Sequence, residues 1–224
     1  GYTDLKRFTA RLVARGFAIE RQARFSPRLL EYADNGYFVP YHEKTRAGID
    51  ILDQQGHRLY HYSYPLRGYE SFTQIPPLVV QSLLFIENRS LLDAEKPNLN
   101  PAVDWGRFGR AVMAQLARAV DADLDAPGGS TLATQIEKYR HSPGGITHSP
   151  HEKLRQMMSA SVRAYRDGPE TMAARRRLVL DYLNSVPLSA AQVYGEVHGL
   201  ADGLWVWYGA DFERVNAVLA APEG

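Results

Sequence analysis

The stretch Gly128-Gly129-Ser130-Thr131-Leu132-Ala133-Thr134-Gln135-Ile136-Glu137-Lys138 governs how the rest of this chain is read. Two glycines and a serine make a turn, and the spacing after them predicts a short helix. Counting in threes and fours separates its faces. Leu132, Ile136 and Tyr139 share an apolar one, while Thr131, Gln135 and Lys138 bring a hydroxyl, an amide and an ammonium together on another. Backbone N–H groups at the positive end of such a helix suit phosphate oxygens. No Gly-Lys-Ser/Thr follows, so the turn is not a nucleotide-binding P-loop.

Downstream, Ser149-Pro150 with Glu152 reads as a capping box that opens a second helix. Lys153, Gln156 and Arg163 share one of its faces, and Leu154, Met158, Val162 and Tyr165 form the face expected to be buried. Lys138, Arg140, Lys153 and Arg155 lie on or beside the two helices that flank the loop Pro143-Gly144-Gly145. Packed together, those helices would present an anion site. Gly168-Pro169 ends the second helix, and further helices are expected over 170–184, 190–207 and 211–221. Arg175-Arg176-Arg177 reads as solvated surface or a phosphate contact. His141, His148 and His151 read as loop residues without zinc spacing, and Trp205, Trp207 and Tyr208 as core.

Upstream, residues 4–33 are basic and helical in pattern, with Leu5, Phe8 and Leu12 on one stripe and a second helix starting at Ser26-Pro27. Residues 49–53 and 58–64 alternate around Gln54-Gln55-Gly56, which predicts a β-hairpin and is the one strong strand signal. Pro76-Pro77 opens a segment, 78–86, that is apolar on nearly every side and expected to be buried. Glu87 at its end is the sharpest candidate for acid–base chemistry. A helix from Asn100-Pro101 should carry Trp105, Phe108, Val112, Leu116 and Val120.

The 224 residues are 45% hydrophobic and 23% charged, the proportions of an ordinary globular domain, which sets disorder aside. There is no cysteine, which excludes disulfides, thiolate metal sites and cysteine nucleophiles. Net charge is +1, yet between Lys138 and Arg177 nine Lys or Arg stand against three Asp or Glu. A nucleic-acid partner is not expected, because these basic residues are interleaved with catalytic-type motifs. No run reaches a membrane span's length. The chain opens Gly1-Tyr2 without methionine, as expected of a trimmed chain whose membrane anchor lies upstream.

Taken in order, five segments resemble the peptidoglycan glycosyltransferases of family 51, the polymerising domain of bifunctional penicillin-binding proteins and of monofunctional transglycosylases. Ile86-Glu87-Asn88-Arg89 with Val103-Asp104 is similar to the first motif, Glu-Asp followed by Gly-Val/Ile-Asp. The stretch quoted at the outset resembles the second, Gly-Gly-Ser-Thr-x-Thr-Gln-Gln-x-x-Lys, and is the most specific. Glu152 to Gln156 resembles the third, Arg-Lys-x-x-Glu; Arg175 to Asn184 the fourth; and Gly199 to Gly209, with Trp207-Tyr208-Gly209 for Tyr-Phe-Gly, the fifth. The likeness runs from about Ile49 to Ala221.

The resemblance implies a mainly α, lysozyme-like fold with a small N-terminal β-hairpin. It divides the chain into an N-terminal helical segment, 1–45, leading from a membrane anchor, and a transglycosylase domain, 46–224. It implies glycan-strand polymerisation from lipid II, with inversion, at the periplasmic face of the bacterial inner membrane. The partners it brings are lipid II and the nascent glycan chain, the membrane surface, and proteins of cell-wall synthesis. Residue by residue, Glu87 becomes the general base and Gln156 takes the second catalytic position. Lys138 and Lys153 bind the pyrophosphate, and Asn88, Ser130, Thr131, Gln135, Arg140 and Arg155 line the substrate cleft.

A divalent cation, Mg or Mn, is the one cofactor that the resemblance brings, and no metal ligands are assigned. The family's third-motif glutamate is here Gln156 and its arginine Glu152. Its first-motif aspartate is Asn88, and Ala133-Thr134 stand for Thr-Gln. The residues leave two alternatives beside a polymerase: a non-catalytic module that binds lipid II or glycan, and a lysozyme-like lytic enzyme that needs one glutamate.

Overall fold

The computed structural model describes residues 5–18, 26–40, 47–103 and 130–221, in a unit Gly1–Gly36 and a unit Tyr37–Gly224. In the first, α1 spans Leu5–Val13 and α2 spans Pro27–Asp34. Ser26 caps α2 by accepting from the Leu29 N–H at 3.2 Å, and Pro27 supplies the preset first turn.

The second unit begins with β1 (Ala47–Leu52) and β2 (Arg58–Tyr64), antiparallel with Ile49 opposite Tyr62 and Ile51 opposite Tyr60. Asp53 closes their turn, its carboxylate accepting from the Gln55 and His57 N–H groups at 2.9 and 2.8 Å. Then follow α3 (Pro77–Glu87), α4 (Leu132–His141), α5 (Pro150–Ala164), α6 (Met172–Ser185), β3 (Pro187–Ala191), β4 (Gly195–His198), α7 (Gly199–Tyr208) and α8 (Phe212–Ala220). The described residues thus form a mainly α protein of eight α-helices and two antiparallel strand pairs. None of these helices is long and apolar enough to cross a membrane. The helix expected after Asn100-Pro101 lies, from residue 104, outside the described residues.

One pattern explains where the side-chain readings depart from the fold: small and polar side chains face inward on several helices, and large ones face out. On α5 the expected burial is inverted. Gln156, Ser159, Ala160 and Ala164 are buried, whereas Leu154, Met158 and Tyr165 are exposed. Alanine and serine let α5 approach α4 and α6 closely, and Ala160 joins Ala102 and Ala133 in one packed cluster. On α7 the buried positions are Gly199, Ala201, Asp202 and Gly203, so Trp205, Trp207 and Tyr208 stand exposed instead of in the core. A Cβ on Gly203 would meet Leu188 Cδ1 at 2.6 Å. The pattern does not extend to α3, which is apolar all round: Val80 is buried, Val79, Leu83 and Leu84 pack partly buried on the core, and Leu78, Phe85 and Ile86 are exposed.

The single helix expected over 190–207 is β3, β4 and then α7. Gly199 breaks it: its φ is +78°, and a Cβ there would sit 2.6 Å from the Asn184 carbonyl oxygen. Arg175, read as surface or phosphate contact, is wholly buried and donates to the carbonyls of Leu91, Asp93, Lys96 and Pro97 at 2.7–3.3 Å. A guanidinium carries enough donors to gather a loop that has no sheet or helix of its own. His141, read as a loop residue, ends α4 and stacks on Phe38 with centroids 4.1 Å apart.

The main core lies around α6, where Val179 and Leu183 meet Tyr69, Ile75, Leu91 and Leu132. Two buried polar clamps fasten the segment that follows β2. Asn184 exchanges hydrogen bonds with the Tyr69 backbone, 2.9 Å from its N–H and 2.7 Å to its carbonyl. Asp202, fully buried, accepts from the Leu66 and Arg67 N–H groups at 2.8 and 3.0 Å and from the Tyr194 hydroxyl at 2.9 Å. Asp202→Ala strands these donors, so it should destabilise the protein by about 3 kcal/mol. The expected result in urea is a lower unfolding midpoint with an unchanged slope.

Candidate active site

α3 delivers Glu87 as its last residue, and Asn88 at the cap turns the chain away. The Asn88 side-chain oxygen accepts from the Ser90 N–H at 3.0 Å and hydroxyl at 2.9 Å, so it is committed to the turn that follows Glu87. α4 starts at Thr131, whose hydroxyl accepts from the Thr134 N–H at 3.3 Å, while the Thr134 hydroxyl accepts from the Thr131 N–H at 2.9 Å. Thr134 thereby fills the place that Glu or Gln takes in a capping box, and Thr131 is a buried cap. Gly128 and Gly129 lie outside the described residues.

Gln135 joins the first two segments. Its Nε2 donates to Glu87 Oε2 at 2.9 Å, and its Oε1 accepts from the Tyr139 and Tyr182 hydroxyls at 3.3 Å each. With its oxygen taken by two O–H donors, the amide can present only N–H to the carboxylate, which fixes its orientation. Burial first, then the neighbouring Tyr139 and the charge of Glu87, push the Tyr182 phenol up to about 12. Burial and Glu87 also raise Tyr139. Both phenols therefore stay protonated donors at neutral pH. The sequence points to neither phenol as a site residue: it puts Tyr139 on the apolar face, although the spacing of four from Gln135 is a signal for this contact.

Lys153 on α5 reaches Ser130, just before the α4 cap, with Nζ 2.7 Å from the hydroxyl. Burial and the charge of Lys138 push its ammonium below the ordinary lysine value of 10.5. The charge of Lys138 thus reaches Lys153, and the Lys138 Nζ itself lies 5.2 Å from the Tyr139 ring centre. Two ammonium groups held near each other and partly stripped of water make a natural counter-site for an oxyanion.

Arg140 and Arg155 are not brought to this place. Arg140 turns to the opposite side of α4, where its guanidinium lies 3.6 Å from Asp181 beside a cavity lined by Ala133, Ile136, Glu137 and Arg163. Arg155 stacks over the Phe38 ring at 4.6 Å. Gln156 is 0% exposed: Nε2 donates to the Ser142 and Thr147 hydroxyls at 3.0 Å each, and Oε1 accepts from Thr147 at 3.2 Å. The Ser142 hydroxyl also bonds Glu152, which with the His148 N–H at 2.8 Å lowers that carboxyl. Gln156 and Glu152 thus tie down the loop between α4 and α5. Glu152 reaches back to His148 where the capping-box reading expected Ser149.

A divalent cation does not fit at this position. The Gln156 amide turns N–H groups toward both hydroxyls, and the Glu152 carboxylate is held by Ser142 and His148. No group of three or more His, Cys, Asp or Glu among the described residues is arranged to hold a metal.

The sequence matches the protein family described as Transglycosylase over residues 55–221, more than half of the chain. No curated protein matches it as a relative.

Because only the ammonium form of Lys153 attracts an oxyanion, binding of inorganic pyrophosphate should weaken as pH rises through its depressed pKa, earlier than for an ordinary lysine. Titration calorimetry across neutral to alkaline pH should show this decline. Lys153→Met should lower affinity about 10- to 100-fold at neutral pH and flatten the profile.

Proposed function

The chain belongs to the transglycosylase family, whose chemistry is the polymerisation of peptidoglycan glycan strands, and on that premise we propose that it extends them from lipid II with Glu87 as general base. The observation that carries the reading is the Gln135 bridge. One amide ties the carboxylate ending α3 to phenols from α4 and α6, so residues of three motif-like segments converge at the carboxylate.

In this reading Glu87 accepts the proton of the acceptor sugar's 4-hydroxyl as that oxygen attacks the anomeric carbon of the growing chain. The new C–O bond forms on the face opposite the departing group, so the configuration inverts. The old C–O bond breaks, and its electron pair leaves on the lipid pyrophosphate. Lys153 and Lys138 meet that developing negative charge, and Ser130 holds Lys153 in place. Gln135 orients the base, and Tyr139 and Tyr182 orient Gln135. Gln156 positions the loop beside Lys153 without touching substrate. The site would work at the periplasmic face of the inner membrane, where the lipid-linked substrate is presented, alongside proteins of cell-wall synthesis.

A second reading, a module that binds lipid II or glycan without turnover, draws on Gln156, because the family's second carboxylate position holds a neutral, fully buried amide. Polymerisation of lipid II in detergent separates the two. The wild type should make glycan strands, and Glu87→Gln should lower the rate about 10²- to 10⁴-fold. Absence of product from the wild type would overturn the polymerase reading, and release of soluble fragments from purified cell-wall sacculi would point to lytic chemistry instead. Gln156→Glu places a second carboxylate against the Ser142 hydroxyl already bonded to Glu152. It should cost about 2–3 kcal/mol in urea unfolding and leave polymerisation at or below the wild-type rate.

A further inference from the structure

The helix α1 lies outside both the family match and the candidate site, and its apolar side is exposed among the described residues. Phe8, Leu12 and Val13 fall within one arc of a helical projection, and Lys6, Arg7 and Arg11 occupy the remainder. Beyond the helix, Gly16 takes φ +86° while the Phe17 N–H bonds the Leu12 carbonyl at 3.2 Å and the Gly16 N–H bonds that of Val13 at 3.0 Å. This glycine-terminated turn returns Phe17 to the Leu12 end of the apolar stripe.

Phe8, Val13 and Phe17 are 58%, 55% and 62% exposed, and no described residue of the unit Gly1–Gly36 is buried. A unit of that size cannot build a core by itself, so the stripe needs an apolar medium from outside. Charge chooses among the candidates. From Leu5 to Ala18 there are four basic residues, Lys6, Arg7, Arg11 and Arg15, and no acidic one. Residues 1–36 hold seven Lys or Arg against four Asp or Glu, an excess that the net +1 of the whole chain conceals. A second copy of α1 would set cations against cations. Nucleic acid would satisfy the cations but leave two phenylalanines in water.

We propose that α1 lies in the plane of an anionic lipid bilayer, with Phe8, Leu12 and Phe17 among the upper acyl methylenes. Lys6, Arg7, Arg11 and Arg15 lie along the headgroup phosphates, their aliphatic stems covering the flanks of the stripe. This placement does not depend on the catalytic reading, and it would hold the chain at a lipid surface whether or not Glu87 is a base.

The test is flotation of the intact protein with vesicles of mixed phosphatidylglycerol and phosphatidylcholine, against phosphatidylcholine alone, over a range of salt. Binding should need phosphatidylglycerol and weaken as salt rises. The K6Q/R7Q/R11Q/R15Q variant should lose affinity on the order of 100-fold, and F8S/F17S on the order of 10-fold. Emission of F8W, measured as the difference from the unaltered protein, should shift to the blue on binding. Far-UV circular dichroism checks that each variant retains the helices of the second unit, and polymerisation in detergent should be unchanged. The proposal is overturned if the four-fold glutamine variant binds phosphatidylglycerol as the wild type does, or if neutral vesicles bind equally well. It is also overturned if F8W emission stays unshifted while duplex DNA binds with the same salt dependence.

Discussion

The buried helix α4 constrains its neighbours because it carries more polar side chains than an interior can leave unpaired. Leu132, Ala133, Thr134, Ile136 and Glu137 are all buried, and the polar groups on both sides of the helix need partners. Gln135 takes Glu87 from α3, Arg140 takes Asp181 from α6, and Glu137 takes Arg163 from α5 at 2.8 Å. Lys153 reaches back from α5 to Ser130. Together these contacts bring three helices, α3, α5 and α6, into register with α4, so the candidate site and the scaffold are held by the same set of bonds.

Glu137 shows how this works on the side away from the site. Burial alone would push its carboxyl up, but His141, at 3.4 Å, and Arg163 outweigh burial and bring it below the usual glutamate value. A carboxyl lowered on folding stabilises the fold above its unfolded value and stops doing so as pH falls through the folded one. The ionic side of α4 thus fastens it to α5, while Gln135 on the other side fastens it to Glu87.

Much of the fold was legible wherever a local rule acts alone. Ser26-Pro27, Ser149-Pro150 and Asp211 open helices because a side-chain oxygen accepts a nearby backbone N–H, which needs no tertiary partner. The first hairpin follows from alternation around the Gln54-Gln55-Gly56 turn. The second escaped notice because its strands are short and interrupted by a register shift, and because Gly199 acts through the Asn184 carbonyl, 15 residues away in sequence. Side-chain burial on α5 and α7 departs from hydropathy for a shared reason. Hydropathy says which residues prefer to leave water, but close helix packing rewards small ones, and alanine, glycine and serine hold the inner faces.

For the candidate site, the sequence by itself determined the residue types, their order along the chain and the helix face shared by Gln135 and Lys138. It also determined the family to which the chain belongs. Only the tertiary structure decided which of these groups meet. It brought Gln135 to Glu87 and Lys153 to Ser130, turned Arg140 to Asp181 and Arg155 to Phe38, and sealed Gln156 under Ser142 and Thr147. The physical reason is range. A helix period fixes directions over a few residues, whereas a hydrogen bond between Gln135 and Glu87 spans 48 positions and depends on how closely three helices pack.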